Sequence, residues 1–432
     1  MKRWIVAVLF ACTALPAWAD VKIQEITSPG GITAWLVQEP SIPFVALELR
    51  FRGGASLDLP DKRGATSLMV GLLEEGAGEL DAQGFARATE ELAAGFSYDS
   101  GDDTVSISAR FLTENRDQAV ALLRTSLVEP NFDDASLERV RGQVLSIIRS
   151  NEKDPNEIAA RAFDQLAFGD HPYGSAAEGT VDTVSALTRD DIVAAHAAAM
   201  ARDRLYIGVV GDISAEELGA LLDTLLGGLP ATGADMPMPA TLALTGGTTV
   251  VDYETPQSVA LFGHAGIERH DDDFFAAYVL NTILGGGGFE SRLMTEVREK
   301  RGLTYGVYSY LAPKDLAALY IGSVASANDR ISETVSVIKA EWAHMAESGV
   351  TQDELEKAKA LLTGAYPLRF DGNGAIARIM VGMQMDDLPI DYIATRNDKV
   401  NAVTLDDVNR VARELLKPEE LRFVIVGKPE GL

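Results

Sequence analysis

The sequence predicts an α+β protein made of two homologous halves that face each other across a cleft. Each half is predicted to be a mostly antiparallel sheet with helices packed on one face. Two observations lead to this prediction: an internal repeat with an offset near 216 residues, and strand-like and helix-like periodicities in the same order in both copies. The 432 residues, 47% of them hydrophobic, are enough to form two such cores.

The repeat is carried by segments that recur in the same order at nearly one offset. The matches are Val45–Leu47 with Val259–Leu261 (offset 214), Leu137–Arg139 with Leu355–Lys357 (offset 218), and LTRDDIVAAHAAAMARDRLYIGVVGD with VTLDDVNRVARELLKPEELRFVIVGK (offset 216). Because one chance match would not be followed by others in register, we interpret the chain as a duplication.

Within the first copy, apolar residues alternate in strand-like stretches and recur with helical spacing in others. The predicted strands are 32–40, 45–53, 103–111 and 204–212, and the predicted helices are 113–127, 136–150 and 189–200. The predicted domain boundaries are a signal peptide at 1–19, an N-terminal domain at 20–230, a linker at 231–246 and a C-terminal domain at 247–432. The linker is assigned from its richness in Pro, Gly, Ala and Thr.

The first residues are typical of an export signal. Lys2 and Arg3 precede an apolar run from Trp4 to Leu15, and Ala17–Ala19 forms a small-x-small cleavage site. We therefore expect the mature chain to begin at Asp20 and to be periplasmic or secreted in a bacterium, with no membrane association after the signal is removed.

The charge and the cysteine content exclude several function classes. With 38 Lys and Arg against 64 Asp and Glu, the net charge of −26 repels a phosphate backbone, so we expect no nucleic-acid partner. The single cysteine, Cys12, lies inside the signal, so the mature chain has neither a disulfide nor a thiolate metal site. The apolar run before Cys12 is too short to favour a lipoprotein anchor.

Two motifs carry a family resemblance. Residues 285–310, GGGGFESRLMTEVREKRGLTYGVYSY, resemble a signature of the pitrilysin/insulinase peptidase family, and residues 169–180 resemble its His-Pro-Tyr-Gly segment. The duplicated halves, the linker and the length agree over the whole mature chain. Active members of this family are inverzincins, which bind zinc through His-x-x-Glu-His on a helix and a further Glu about 75 residues later.

The resemblance implies that this chain lacks the zinc motif. Alignment through Gly64 places Ser67 and Gly71 at the two histidine positions and Val70 at the general base. Sliding the alignment by a turn does not restore the motif, because the first histidine in the chain is His171.

The third-ligand region lacks its carboxylate as well. The helix there has no acidic residue between Glu138 and Glu152, and Ser146 or Ile147 stands near the ligand position. Since carboxylates alone would hold zinc weakly, we expect no metal and no cofactor in this chain.

The C-terminal half keeps two residues that the resemblance marks as functional. In related members an Arg and a Tyr seven residues apart reach a zinc site across a cleft, and these roles fall on Arg298 and Tyr305. The resemblance implies that Tyr305 stabilises the oxyanion and that Arg298 orients the substrate. Arg301 is a competing candidate for the Arg role. We expect a helix over 290–300 and a strand over 303–310.

Other motifs have plainer interpretations. The run Gly285–Gly288 lacks the Lys-Ser/Thr of a phosphate loop, so it is either a flexible turn or a loop joining two helices. His264, Glu268 and His270 are too far apart along one strand to share a metal ion. His171 is expected to fix a local turn. The adjacent pairs Glu74-Glu75 and Asp102-Asp103 are interpreted as solvated surface charge.

Three functional hypotheses remain. The first is a zinc-free subunit of a two-chain exported peptidase, which lends Arg298 and Tyr305 to a homologous zinc-bearing partner acting on peptides. The second is a non-catalytic binding or scaffold protein that keeps the peptidase fold. The third is an independent peptidase with unfamiliar catalytic residues, which the missing ligands disfavour. The retained Arg and Tyr favour the first hypothesis.

Overall fold

A computed structural model of the chain describes residues 22–432. The predicted signal peptide and Cys12 lie outside the described residues. Within residues 22–432, no helix is both long and apolar enough to cross a membrane.

From residue 22 onward, the first half contains eight strands and eight α-helices. The strands are β1 (Gln24–Thr27), β2 (Thr33–Gln38), β3 (Phe44–Arg52), β4 (Gly76–Ala77), β5 (Leu80–Asp81), β6 (Gly95–Ser100), β7 (Thr104–Leu112) and β8 (Leu205–Gly211). The helices are α1 (Ala65–Leu72), α2 (Ala82–Glu91), α3 (Arg116–Val128), α4 (Asp134–Asn151), α5 (Pro155–Phe168), α6 (Val181–Ala186), α7 (Arg189–Ala199) and α8 (Ala215–Leu226).

The second half contains five strands and six helices. The strands are β9 (Gly247–Asp252), β10 (Gln257–Ala265), β11 (Val307–Pro313), β12 (Ala318–Ala327) and β13 (Arg422–Gly427). The helices are α9 (Phe274–Asn281), α10 (Ile331–Ser348), α11 (Gln352–Ala365), α12 (Asn373–Met385), α13 (Tyr392–Ala402) and α14 (Leu405–Leu415).

Five strands of the first sheet, β2-β8-β3-β7-β6, have the same order as the five strands of the second sheet, and β1 is an additional edge strand. The first sheet runs β1-β2-β8-β3-β7-β6, and the second, taken in the same direction, runs β9-β13-β10-β12-β11. The pairs β2/β8 and β9/β13 are parallel, and the other neighbours in both sheets are antiparallel. This confirms the predicted α+β class, with two homologous halves built from mostly antiparallel sheets and packed helices.

The repeat is also visible in the helix caps. Thr188 and Thr404 each begin a helix with a complete capping box, in which the hydroxyl accepts from the N3 backbone and an aspartate at N3 accepts from the cap. At the strand that follows, Gly211 and Gly427 have φ angles of 147° and 152°. Side chains rarely adopt this conformation, so both copies need glycine there.

One of the three sequence matches is wrong by one residue. Ala46 pairs with Val210 on β8, whereas Val259 pairs with Val426, the counterpart of Val210, on β13. Ala46 therefore corresponds to Val259, and the Val-Ala-Leu identity at offset 214 is a coincidence. A slip of one residue turns every side chain of a strand to the other face, so matching letters are a poor guide to strand register.

Each half has its own hydrophobic core between the sheet and its helices. In the first half the large buried residues include Phe51, Phe111, Leu36, Leu47 and Leu49, and in the second half they include Trp342, Phe262, Phe423 and Tyr320. Apart from Trp342, which lies on α10, these residues come from alternate positions of the strands, as a sheet with one face in a core requires.

The second face of each sheet carries a helix from the opposite half. Helix α5 packs on β10 and β13, and helix α12 packs on β3 and β8. The prediction that helices cover only one face of each sheet is wrong in this respect. The physical reason is visible in β13, whose central residues are apolar on both faces and so need cover on both sides. The exchanged helices tie the two halves together.

Candidate functional site

The residues that the family resemblance aligns with the two zinc-binding histidines, Ser67 and Gly71, lie one turn apart on helix α1 and are half-buried. Val70, which the same alignment places at the general base, is 4% exposed. A Cβ atom added to Gly71 would lie 3.0 Å from Cγ1 of Val140 on α4, so the two helices approach closely here. None of these three side chains is a zinc ligand or a titratable base.

Helix α4 has no carboxylate near the position predicted for the third zinc ligand. Ser146 and Ile147 are both exposed, and Ile147 is 54% accessible to solvent. Within residues 22–432, no three His, Cys, Asp or Glu side chains converge as a metal site would require. The residues present therefore do not fit the zinc ion of the resembled family.

Arg298 is the strongest candidate for the Arg role. It lies half-buried in a π-helical turn, Met294–Glu299, with the centre of its guanidinium 4.6 Å from the ring centroid of Phe289. In the described chain no carboxylate lies within ion-pairing distance of Arg298. Arg301, the competing candidate, is paired with Glu296 at 2.7 Å, and Lys300 is paired with the same carboxylate at 2.5 Å.

The two cations that pair with Glu296 lower the pKa of its carboxyl. Hydrogen bonds from Lys300 and Arg301 lower the pKa of the Glu296 carboxyl below its ordinary value. Arg301 is thus held by a local ion pair, whereas the N–H donors of Arg298 face no acidic partner within residues 22–432. The geometry favours Arg298 over Arg301.

Tyr305 projects into solvent from a fixed backbone. Its side chain is 88% exposed, and it precedes β11 rather than lying in the strand expected over 303–310. The hydroxyl of Thr304 donates to the carbonyl of Ala325 at 2.7 Å, and the amide of Leu303 donates to the carbonyl of Val297 at 3.0 Å. The second bond also ties the segment of Tyr305 to the turn that carries Arg298.

The glycine run is a tightly packed connection. The chain continues from α9 through a π-helical turn, Thr282–Gly286, and a Cβ added to Gly285 would lie 2.7 Å from the amide nitrogen of Ser309. The predicted helix over 290–300 is likewise a short turn followed by the π-helical turn. Of the two interpretations left open, the structure supports a loop that joins two helical segments.

The buried histidine His264 has a structural role. His264 is 1% exposed, and its Nε2 accepts from the indole nitrogen of Trp342 at 3.1 Å while its Nδ1 donates to the carbonyl of Ala265 at 2.6 Å. Burial lowers the pKa of His264, which keeps the ring neutral. Glu268 and His270 lie beyond the end of the strand and are exposed.

His171 fixes a turn, as expected. Its Nδ1 accepts from the amide of Tyr173 at 3.2 Å, and its Nε2 donates to the carbonyl of Met238 at 3.0 Å. The second bond fastens the segment between the two halves to the His-Pro-Tyr-Gly motif.

The interpretation of Asp102 and Asp103 as solvated surface charge is wrong. Asp102 pairs with Lys314 of the second half at 2.5 Å, and Asp103 accepts a hydrogen bond from the hydroxyl of Tyr173. Lys314 also lies 4.0 Å above the ring centroid of Tyr173. No local signal could have revealed this, because only the meeting of the β6–β7 and β11–β12 turns brings these residues together.

Two carboxyls at this junction have pKa values above the ordinary value for aspartate. Burial raises the pKa of Asp164, on α5 near Lys314 and Asp102, to about 6. Burial likewise raises the pKa of Asp315 to about 6, although Arg52 lies 3.5 Å away and opposes the shift. Both carboxyls therefore bind a proton more tightly than an ordinary aspartate does.

Two family models match the chain. Residues 33–181 match the model described as Insulinase (Peptidase family M16), and residues 186–362 match the model described as Peptidase M16 inactive domain. The two models lie in the order of the two halves.

Similar proteins support the same assignment. The non-peptidase homolog YmxG of Helicobacter pylori is 28% identical over 387 residues, which cover 89% of each chain. An uncharacterized zinc protease of Streptomyces coelicolor is 28% identical over 412 residues, covering 91% of this chain and 87% of the relative.

Solved structures agree in fold. A peptidase M16 inactive domain from Pseudomonas fluorescens superposes with a TM-score of 0.88 at 28% identity, covering 94% of this chain and 98% of that one. A protease from Helicobacter pylori superposes with a TM-score of 0.84 at 17% identity, covering 94% and 99% of the two chains, and shows the fold alone. The chain therefore belongs to the insulinase (peptidase M16) family, as a peptidase-like member.

Proposed function

We propose that this chain is the zinc-free subunit of an exported metallopeptidase, and that it lends Arg298 and Tyr305 to a homologous subunit that carries the zinc. The observation that carries the proposal is a contrast within the molecule. Ser67 and Gly71 stand where the ligands would be, whereas Arg298 and Tyr305 point side chains with spare donors out of a fixed backbone.

The two side chains suit the chemistry of peptide hydrolysis. Attack of water on the scissile carbonyl places a negative charge on its oxygen, and a phenol donor aimed at that oxygen stabilises the charge in the transition state. The planar guanidinium of Arg298 offers several N–H donors in a fixed geometry, which suits orientation of a peptide carbonyl. Zinc in the partner would activate the attacking water.

The names of similar proteins support inactivity of the isolated chain. One relative is named a non-peptidase homolog, and both the C-terminal family model and the Pseudomonas fluorescens structure are named for an inactive domain. We further propose that the chain acts in the periplasm or outside the cell, which rests on the signal predicted over residues 1–19.

The first experiment tests Tyr305. Tyr305→Phe removes one donor to the oxyanion and keeps the ring, so kcat of the reconstituted pair should fall by about 10²–10³-fold with little change in KM. Assembly with the zinc-bearing partner, measured by analytical ultracentrifugation, should be unchanged. Tyr308→Phe, at an exposed tyrosine three residues away, is the matched control. A Tyr305→Phe pair that assembles and cleaves peptides like wild type would favour the scaffold hypothesis instead.

The second experiment tests the metal. Purified mature chain should retain well under one zinc ion after dialysis and should not cleave peptides without its partner, because three ligand positions lack donors. Metal content is read by mass spectrometry, and activity is read with and without a chelator. Stoichiometric zinc together with chelator-sensitive hydrolysis by the isolated chain would contradict the proposal.

A further inference from the structure

Phe289 is an exposed aromatic residue whose ring contacts the guanidinium of Arg298. Its side chain is 64% accessible to solvent, so little of the ring contributes to a core. The guanidinium of Arg298 lies 4.6 Å from the ring centroid, within the range of a cation–π contact. The contact therefore bears on the position of Arg298 more than on the stability of the fold.

The local backbone brings the ring to this place. Gly288 has a φ of 64°, a left-handed conformation that suits glycine. The amide and the hydroxyl of Ser291 both donate to the carbonyl of Gly288, at 3.2 and 2.9 Å, and close the turn that presents Phe289. On the other side of the contact, the π-helical turn Met294–Glu299 sets the direction of Arg298, and such turns recur at functional sites.

Among the described residues, no carboxylate competes with Phe289 for the guanidinium of Arg298. Glu296 is occupied by Lys300 and Arg301, and within residues 22–432 no other carboxylate forms an ion pair with Arg298. A carboxylate partner would consume N–H donors of the guanidinium, whereas an aromatic face contacts its π-surface and leaves those donors available. A ring partner thus fixes the side chain and keeps its hydrogen-bonding capacity.

We propose that Phe289 is a positioning residue for Arg298, which holds the guanidinium in one orientation with its donors directed toward substrate. The inference rests on the proposed function of Arg298, but the contact itself can be tested without any peptidase activity. The consequence is that an aromatic side chain at position 289 is required and an aliphatic one of similar size is insufficient.

The test of the contact is the ring-current shift of the Arg298 side chain. In the full chain labelled with ¹⁵N-arginine, the Nε–H proton of Arg298, assigned with Arg298→Lys, should be shifted upfield. The shift should be lost in Phe289→Leu and kept in Phe289→Tyr, while the Arg301 signal serves as the internal control. An Arg298 signal that is the same in wild type and Phe289→Leu would overturn the inference.

The test of the role uses the reconstituted pair. Phe289→Leu should lower kcat/KM by about two- to five-fold, the strength of one exposed cation–π contact, and Phe289→Tyr should restore it. In the Arg298→Ala background, Phe289→Leu should have no further effect. An equal loss in both backgrounds would overturn the positioning role. If Arg298→Ala is itself silent, the proposed function fails, while the ring-current result still decides the contact.

Discussion

The two exchanged helices occupy equivalent places in the two halves, but they pack on surfaces of different chemistry. Helix α5 presents Phe163 and small alanines to an apolar strand face that includes Val424 and Val426. Helix α12 presents Met380 and Met383 to the outer face of the first sheet, where β3 carries charged residues. The duplication preserved the topology of the exchange while the chemistry of the two interfaces diverged.

The interface beneath α12 is an extended polar network. Glu48, on the central strand, is only 3% exposed, accepts a hydrogen bond from Ser108 at 2.8 Å and lies 3.5 Å from Arg378 of α12. Burial raises the pKa of the Glu48 carboxyl against these opposing contacts. Methionine suits such a surface because its flexible side chain fills irregular gaps. The comparison indicates an apolar junction at α5 and a junction at α12 that combines methionines with charged residues.

Truncation of the anchor residue on each exchanged helix tests this contrast most directly. Phe163 is fully buried against the second sheet, so Phe163→Ala should lower the free energy of unfolding by about 3–5 kcal/mol. Met380→Ala should lower it by about 2–3 kcal/mol, because the methionine surface can readjust. Urea denaturation followed by circular dichroism measures both values.

Leu166→Ala is the control on helix α5. Because Leu166 is 37% exposed, its truncation should lower the free energy of unfolding by less than about 1 kcal/mol. Equal losses for Phe163→Ala and Met380→Ala would show that the two junctions do not differ in packing strength.

The α5 junction also contains Asp164, whose raised pKa should make the stability of the protein depend on pH. The pKa of Asp164 is about 6 in the folded protein against 3.8 for the ordinary carboxyl, so the folded state binds the proton more tightly. Its contribution to stability is complete below pH 4 and is lost as the pH rises through 6. A shift of this size corresponds to at most about 3 kcal/mol.

Asp164→Asn should remove this dependence and leave a flatter stability profile between pH 4.5 and 7. Carboxyls whose pKa is lowered, such as Glu217 and Glu354 at about 2, weaken the protein only at more acidic pH. Chemical denaturation at a series of pH values measures the effect. A wild-type stability that rises steadily from pH 4.5 to 7 would contradict the assigned sign.

The smallest predicted effect concerns a feature that the halves share. Thr188→Ala and Thr404→Ala each remove a helix cap of identical geometry, so each should lower the free energy of unfolding by about 1 kcal/mol. Thr→Ser at either site should be nearly neutral because serine keeps the hydroxyl. A difference larger than about 1 kcal/mol between the two alanine variants would show that the halves are no longer equivalent here.

Several parts of the site were accessible from the sequence, and others were not. The absence of histidines before His171 can be read directly, and the roles proposed for Arg298 and Tyr305 come from the family resemblance, which left Arg301 as a competing candidate. Only the structure shows that Glu296 pairs with Arg301 and not with Arg298. The contact with Phe289 depends on two irregular turns whose geometry leaves no periodic signal.

The duplication, the α+β class and most of the first-half elements could be predicted from repeats and periodicity in the sequence. Strands 45–53 and 103–111 and helices 136–150 and 189–200 lie within one or two residues of β3, β7, α4 and α7. These features are local, because alternation, helical spacing and caps act over a few residues.

Three features became visible only in the folded chain: the residue-by-residue correspondence of β10 with β3, the exchange of α5 and α12, and the pairing of Asp102 with Lys314. Local periodicity shows that a helix or strand has an apolar face but carries no information on which distant surface will cover it. That choice is made by the packing of the whole chain, where surfaces far apart in sequence compete to bury one another.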